Sequence, residues 1–202
     1  MALVLIIVAI VLILLVALWL FYNRMVSRRQ AVDNSWAQIE TALQRRHDLI
    51  PNLVEAVKGY AKHERDTFEQ VTKARSGALA AQAPPTQAVA EDGLTAAIGR
   101  LMVVAEQYPE LRATENFQQL QAQLSETESN IAISRQVYND TVLTYDNALE
   151  TVPTSIIAGI FNFQPREYFQ TEDGDRAVPQ VSFETAPPAA PSPPPASPPP
   201  AS

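Results

Sequence analysis

The feature that most constrains this chain is its beginning. From Ala2 to Tyr22 there is no charged side chain, and sixteen of those 21 residues are Leu, Ile, Val or Phe. Coiled as a helix, the run is about 31 Å long, matching a hydrocarbon core of ~30 Å. Each aliphatic residue near the bilayer centre favours insertion by roughly 0.3 to 0.6 kcal/mol. Trp19, Phe21 and Tyr22 close the run where an aromatic belt belongs. A cleaved signal peptide needs a basic stretch before the apolar core, a shorter core and a small-x-small cleavage site. Here no basic side chain precedes the run, and Trp-Leu-Phe-Tyr stands where cleavage would fall. Residues 1–23 therefore read as an uncleaved transmembrane anchor. Arg24, Arg28 and Arg29 follow it. By the positive-inside rule the rest of the chain is expected in the cytoplasm and the N-terminus outside, with a single pass through the bacterial cytoplasmic membrane.

At the other end, residues 186–202 hold 9 of the 16 prolines and read as a disordered, Pro/Ala/Ser-rich tail. About 160 residues lie between, one domain's worth of chain. Without cysteine there is no disulfide frame, thiol nucleophile or Cys-based zinc or iron–sulfur site. A net charge of −7 argues against a nucleic-acid partner. The six glycines form no strand-to-helix phosphate turn, which argues against a nucleotide-binding α/β fold.

The middle of the chain has helical periodicity. Val32, Trp36, Ile39 and Leu43 recur at 4-3-4 spacing. Pro51 predicts a break, with one helix ending near Asp48 and a second carrying Pro51 in its first turn. Val54, Val57, Ala61, Phe68, Val71 and Ala78 form the apolar face of that second helix. Residues 80–86 are expected to loop because of consecutive prolines. A third helix is expected over roughly 92–107, with Leu94, Ile98, Leu101 and Ala105 inward, and Thr114 is expected to cap a fourth. Phe117, Leu120, Leu124, Ile131, Tyr138, Val142, Tyr145 and Leu149 make its seam, with Thr127 and Ser134 between them. The expected fold is all-α: a single N-terminal transmembrane helix, then an antiparallel bundle of about four long helices over 24–169. An extended segment over 170–185 and the tail follow. If the first helix continues out of the bilayer, the turn at Pro51 stands nearly 40 Å above the membrane. The fourth helix then returns Ile156, Ile157, Ile160, Phe161 and Phe163 to it. This segment is either a membrane or partner contact or, the reading favoured, a short helix closing the base of the bundle.

Candidate chemistry is thin. His47 and His63 are the two histidines, and Gln44 and Tyr60 stand three residues before them, so a Glu-x-x-His di-metal motif fails twice. Neither has a histidine four residues away, and both are expected at the surface or at helix ends. Arg45 and Arg46 read as cations opposing the negative end of the first helix. Lys58, Lys62 and Arg65, at i, i+4 and i+7, read as one basic face for docking acidic partners or lipid headgroups, or else as solvated surface. Asn130, Arg135, Asn139 and Asp140 form a candidate polar patch, with hydrogen bonding inside the bundle as the competing reading. Residues 24–75 carry 10 basic and 7 acidic side chains, net +3, and residues 76–202 carry 5 and 15, net −10. The first half can thus pair with the second, within or between molecules. No catalytic residue, metal ligand or cofactor site is expected. The expected partners are the bilayer through residues 2–22, an unidentified membrane or cytoplasmic protein, and further copies of the chain as a homo-oligomer.

Val32-Asp-Asn-Ser-Trp-Ala-Gln-Ile39, followed by Arg45-Arg-His-Asp-Leu-Ile-Pro-Asn-Leu-Val-Glu-Ala-Val-Lys-Gly-Tyr-Ala-Lys-His-Glu64, resembles the LemA family. So do Tyr108-Pro-Glu-Leu-Arg-Ala-Thr-Glu-Asn-Phe117 and Glu126-x-Glu-x-Asn-Ile-Ala-x-x-Arg135-Gln-x-Tyr-Asn-Asp140. Pro153-x-x-Ile-Ile-Ala-Gly-Ile-Phe161, Arg166-Glu-Tyr-Phe169 and Val181-Ser-Phe183 complete a collinear likeness over roughly residues 22–183. The resemblance implies an N-terminal transmembrane helix and an antiparallel helical bundle in a bacterial membrane. It carries no catalytic residue, since none is established for the family. Some members of that family are implicated in organelle membrane formation in magnetic bacteria. The resemblance points to a non-enzymatic membrane-anchored scaffold or adaptor, or to a membrane-shaping or envelope-stress protein that oligomerises on the bilayer.

Overall fold

A computed structural model describes residues 1–170, so nearly all of the expected 170–185 segment and the whole Pro-rich tail lie outside the described residues. Six helices and no strand are present among the described residues. They are α1 (Ala2–Lys58), α2 (Arg65–Ala80), α3 (Pro84–Glu106), α4 (Pro109–Arg112), α5 (Glu115–Glu150) and α6 (Thr154–Ile160). The all-α expectation holds.

The N-terminal part of α1 is long and apolar enough to cross a membrane, and no residue of its most apolar 18-residue window is buried in protein. The same helix then acquires a seam. Met25, Val32, Ile39, Leu43, Arg46, Ile50, Leu53 and Val57 are buried along it. This stripe packs antiparallel on α5. As α1 advances from Arg28 to Arg45, the contacting residues of α5 retreat from Thr144 to Glu126.

Pro51 does not end the first helix. A prolyl nitrogen has no hydrogen for the carbonyl four residues earlier, here that of His47. Arg75, on α2, supplies the missing donor: its Nε lies 2.8 Å from the His47 carbonyl oxygen. With that acceptor satisfied, α1 continues to Lys58 and the chain turns through residues 59–64 into α2. Arg75→Met is expected to lower stability by about 1–3 kcal/mol, the cost of a desolvated acceptor without a donor. In a Pro51→Ala background, where an amide can bond the same carbonyl, thermal melts should show a smaller loss.

The second departure is at Pro84 and Pro85. They do not loop but open α3, occupying its first positions, where a missing amide donor costs nothing. The helix therefore starts well before residue 92 and adds Gln87, Ala88 and Glu91 to its buried face. Thr114 stands at the N-cap of α5 as expected, but its hydroxyl donates back to the Leu111 carbonyl (2.7 Å) instead of accepting from the first turn. At the far end of α5, Ala148 is buried and Leu149 only half-buried.

Burial divides into two apolar cores. The distal core gathers Ile50, Leu53, Val57, Val71, Leu94, Leu101, Phe117 and Leu124. The anchor-side core gathers Met25, Val32, Ile39, Leu43, Ile131, Tyr138, Val142, Tyr145 and Phe169. α1 leaves one for the other between Leu43 and Ile50, α3 between Ala88 and Leu94, and α5 between Leu124 and Ile131. The three crossings meet at one level, which is where the polar residues lie.

Candidate functional site

In the 3-4 alternation of α1, Arg46 follows Leu43 and precedes Ile50, so the helix aims its guanidinium inward. Glu91 is three residues before Leu94 on α3, and Glu128 adjoins the fully buried Thr127 on α5. Arg46, His47 and Glu91 are only 2–3% exposed. One Glu91 oxygen lies 3.1 Å from Arg46 Nη1 and the other 2.8 Å from His47 Nε2. Arg46 Nη2 donates to the Thr95 hydroxyl. Arg46 Nε is 3.0 Å from Glu128 Oε1, near enough for charge attraction, but its N–H is not aimed at that oxygen and makes no hydrogen bond. Neither Arg46 nor His47 is therefore a surface or helix-end residue. Both are in phase with the apolar seam, and α1 runs on past them.

This polar layer is electrostatically tight. Loss of hydration pushes the Glu128 carboxyl above its ordinary value; the Arg46 cation pulls it down and the neighbouring Glu91 charge adds to the rise. Arg46 thus holds the centre between two carboxylates, and among the described residues no group of three His, Cys, Asp or Glu side chains is placed to hold a metal ion. What the arrangement does chemically is neutralise and order three helices at the junction of two cores. Buried ion pairs contribute little net stability for their desolvation, but they penalise any register that separates them.

A second polar constellation lies along the anchor-side core. After α6 the chain reverses at Asn162, whose φ of 55° is a left-handed conformation that asparagine tolerates. Residues 163–170 then run back over α1 and α5 as a strap. Tyr145 and Tyr138 donate to the carbonyls of Gln164 (3.0 Å) and Glu167 (2.7 Å). Asn139 makes paired bonds with Phe169, accepting its amide at 2.9 Å and donating to its carbonyl at 3.3 Å. Arg166 reaches Asp33 at 2.7 Å. Phe169, 1% exposed, fits beside Trp36 with Arg135 above its ring at 4.9 Å.

The expected polar patch on α5 is thus divided. Arg135 and Asn139 hold the strap, and Arg135 also approaches Asp92 at 4.0 Å, whereas Asn130 and Asp140 are exposed. Lys58 ends α1 beside Glu55, Lys62 lies in the turn and Arg65 begins α2. All three are exposed, but the helix break means they do not share one helical face. His63 is exposed in the same turn. Of the segment near the anchor, Ile157 is buried, Phe163 is half-buried, and Ile156, Ile160 and Phe161 are exposed. The sequence reading missed the Arg46–Glu91 layer and the strap. The first was signalled by charged residues in phase with apolar stripes; the second, made by irregular backbone, had no periodic signal.

The strap has a pH signature. Burial, aided by the charges of Glu167, Asp33 and Asp146 and opposed by Arg166, pushes the Tyr138 phenol from 10 up to about 12. The folded protein holds this proton more tightly than the unfolded chain. Its stabilising contribution is therefore complete below pH 10 and disappears as pH rises through about 12. Phenolate absorbance should show a late-titrating tyrosine that Tyr138→Phe removes.

A family model described as the LemA family matches residues 35–183. The matched span includes Trp36, Arg46, Glu91, Glu128, Asn139 and Phe169. The chain is 28% identical to the magnetosome proteins MamQ 1 and MamQ 2 of Paramagnetospirillum magneticum, over 82% of this chain and 72% of each of theirs. It is 27% identical to the magnetosome protein MamQ of Magnetospirillum gryphiswaldense, with the same coverage. Its identity to protein LemA of Metamycoplasma hominis is 23%, over 76% of this chain and 71% of that protein.

Proposed function

This chain belongs to the LemA family, and from that premise we propose that it is a non-enzymatic, membrane-anchored helical scaffold or adaptor. Residues 2–22 hold it in a bacterial cytoplasmic membrane, with Arg24, Arg28 and Arg29 on the cytoplasmic side, and the bundle meets a protein partner or further copies of itself. The observation that carries this reading is the continuity of α1: one helix passes from an apolar span with no fully buried residue into the seam of the bundle. The polar groups inside the bundle support it, because the buried Arg46, His47, Glu91 and Tyr138 and the half-buried Asn139 each bond another side chain or the backbone. The side chains offered to a partner are the basic rim of Lys58, Lys62 and Arg65, and the exposed stretch of α5 that carries Asn130, Ile133, Val137 and Asp140. Photocrosslinkers placed at Lys62 and Ile133 in cells are expected to trap discrete adducts. If neither position gives one, the adaptor reading fails. A reporter fused after residue 202 tests the orientation.

The similarity to magnetosome proteins favours a second reading, membrane shaping by assembly on the bilayer. Full-length protein in liposomes discriminates the two: uniform particles on undeformed vesicles support the adaptor, and arrays on remodelled vesicles support the alternative.

A further inference from the structure

We propose that α6 and its flanks form a second membrane contact, an apolar foot lying in the headgroup layer beside the span. The proposal rests on the membrane-anchored reading and adds where the bundle meets the lipid.

Depth is the first argument. If residues 2–22 cross the hydrocarbon core, Tyr22 stands at its water-facing boundary. The Phe161 ring lies 4.7 Å from the Tyr22 ring, and Phe163 lies 6.0 Å from it. The layer between hydrocarbon and water is about 5–8 Å thick on each side. A ring packed this close to Tyr22 is therefore within that layer or at the edge of the hydrocarbon, whatever the tilt of the anchor.

Amphipathicity is the second. α6 buries Ile157 and Ala158, each 5% exposed, against the bundle, while Ile156 and Ile160 are 58% and 65% exposed. These two are four residues apart and share a face. Val152 and Phe161 extend the exposed apolar surface at either end of the helix. From Thr151 to Pro165 there is no charged residue. An uncharged exposed patch of this kind marks a contact surface. This one is continuous, through Tyr22, with an apolar span whose residues 2–16 are exposed, so its occupant is lipid. The Arg29 guanidinium, 5.5 Å from the Phe163 ring, adds a cation at the height of lipid phosphates.

The test uses the full-length protein, in which the lack of cysteine lets one introduced thiol carry a single fluorophore. Ile160→Cys, labelled with an environment-sensitive dye, is placed in phosphatidylcholine–phosphatidylglycerol vesicles with quenchers on the lipid headgroup or in the water. Val16→Cys and Lys62→Cys serve as references for the span and the distal turn. The proposal expects several-fold stronger quenching by the headgroup quencher at residue 160 than at 62. Equal quenching at the two positions overturns it. Shielding of residue 160 from both quenchers overturns it in favour of a protein partner. If the label at residue 16 is quenched from the water as strongly as the label at residue 62, the membrane-anchored reading has failed as well. Circular dichroism reports whether Ile160→Cys folds, and Ile156→Cys carries the same measurement if it does not.

Discussion

Replacing Glu91 by leucine is expected to destabilise the bundle by about 3–5 kcal/mol, the cost of leaving a buried cation without its partner. Arg46 would keep the Thr95 hydroxyl and the Glu128 carboxylate, which is not aligned to accept a hydrogen bond from Nε, and His47 would lose its side-chain partner. Removing the charge on both sides should reverse most of this. Arg46→Met combined with Glu91→Leu replaces a desolvated pair by apolar groups of similar reach, and such exchanges are commonly neutral or stabilising. Denaturant unfolding of full-length protein in one detergent, followed by helicity, checks both. A single variant that loses less than about 1 kcal/mol would show that the layer is wet and does not order the helices. A double variant as unstable as the single would place the cost in lost shape and not in lost charge.

Phe169→Ala is expected to cost a similar amount, about 3–5 kcal/mol, by emptying a site lined by Trp36 and Arg135. Its consequence is local as well as global. The ring is the most deeply buried point of the strap, so its loss should free residues 163–170. Arg166 then becomes a trypsin site in the variant, cut much faster than in the parent protein. Asp33→Asn is the contrasting control. The Arg166–Asp33 pair is short, but its side chains are 40% and 54% exposed, and pairs of that kind contribute below about 1 kcal/mol. If Asp33→Asn releases the strap as fully as Phe169→Ala, apolar burial is not what holds it.

Much of this was legible from periodicity alone. The seam of α5 and the apolar stripes of α1 and α3 follow from side chains spaced three and four apart, and the uncharged span from composition. The misreadings share one physical root. At Pro51 local propensity predicts a break, but the freed carbonyl is satisfied by Arg75 from a different helix, and no local rule contains that residue. Pro84 and Pro85 read as breakers, although the same chemistry suits a helix start. By local rules Arg46 reads as a helix-end cation, and Glu91 falls just before the expected start of the third helix, so neither stands out as a seam position. Extending the stripe Leu43, Ile50, Leu53 of α1, and the stripe Leu94, Ile98, Leu101 of α3, puts both inside, and two opposite charges at inward positions are each other's natural partners. The strap could not be found this way, because irregular backbone pinned by Tyr138, Tyr145 and Asn139 has no repeat.

The unbroken course of α1 through Pro51 has a mechanical meaning. From Tyr22 to Pro51 the helix rises about 44 Å. If the anchor leans by about 10° to suit a thinner or thicker bilayer, the far end of that rise sweeps sideways by about 8 Å, with α5 carried along its side. A chain built with a flexible joint at the membrane would absorb such a lean. A continuous α1 held by residues 2–22 would instead act as a lever arm, carrying the basic turn at its tip sideways as the lipid beneath it changes thickness.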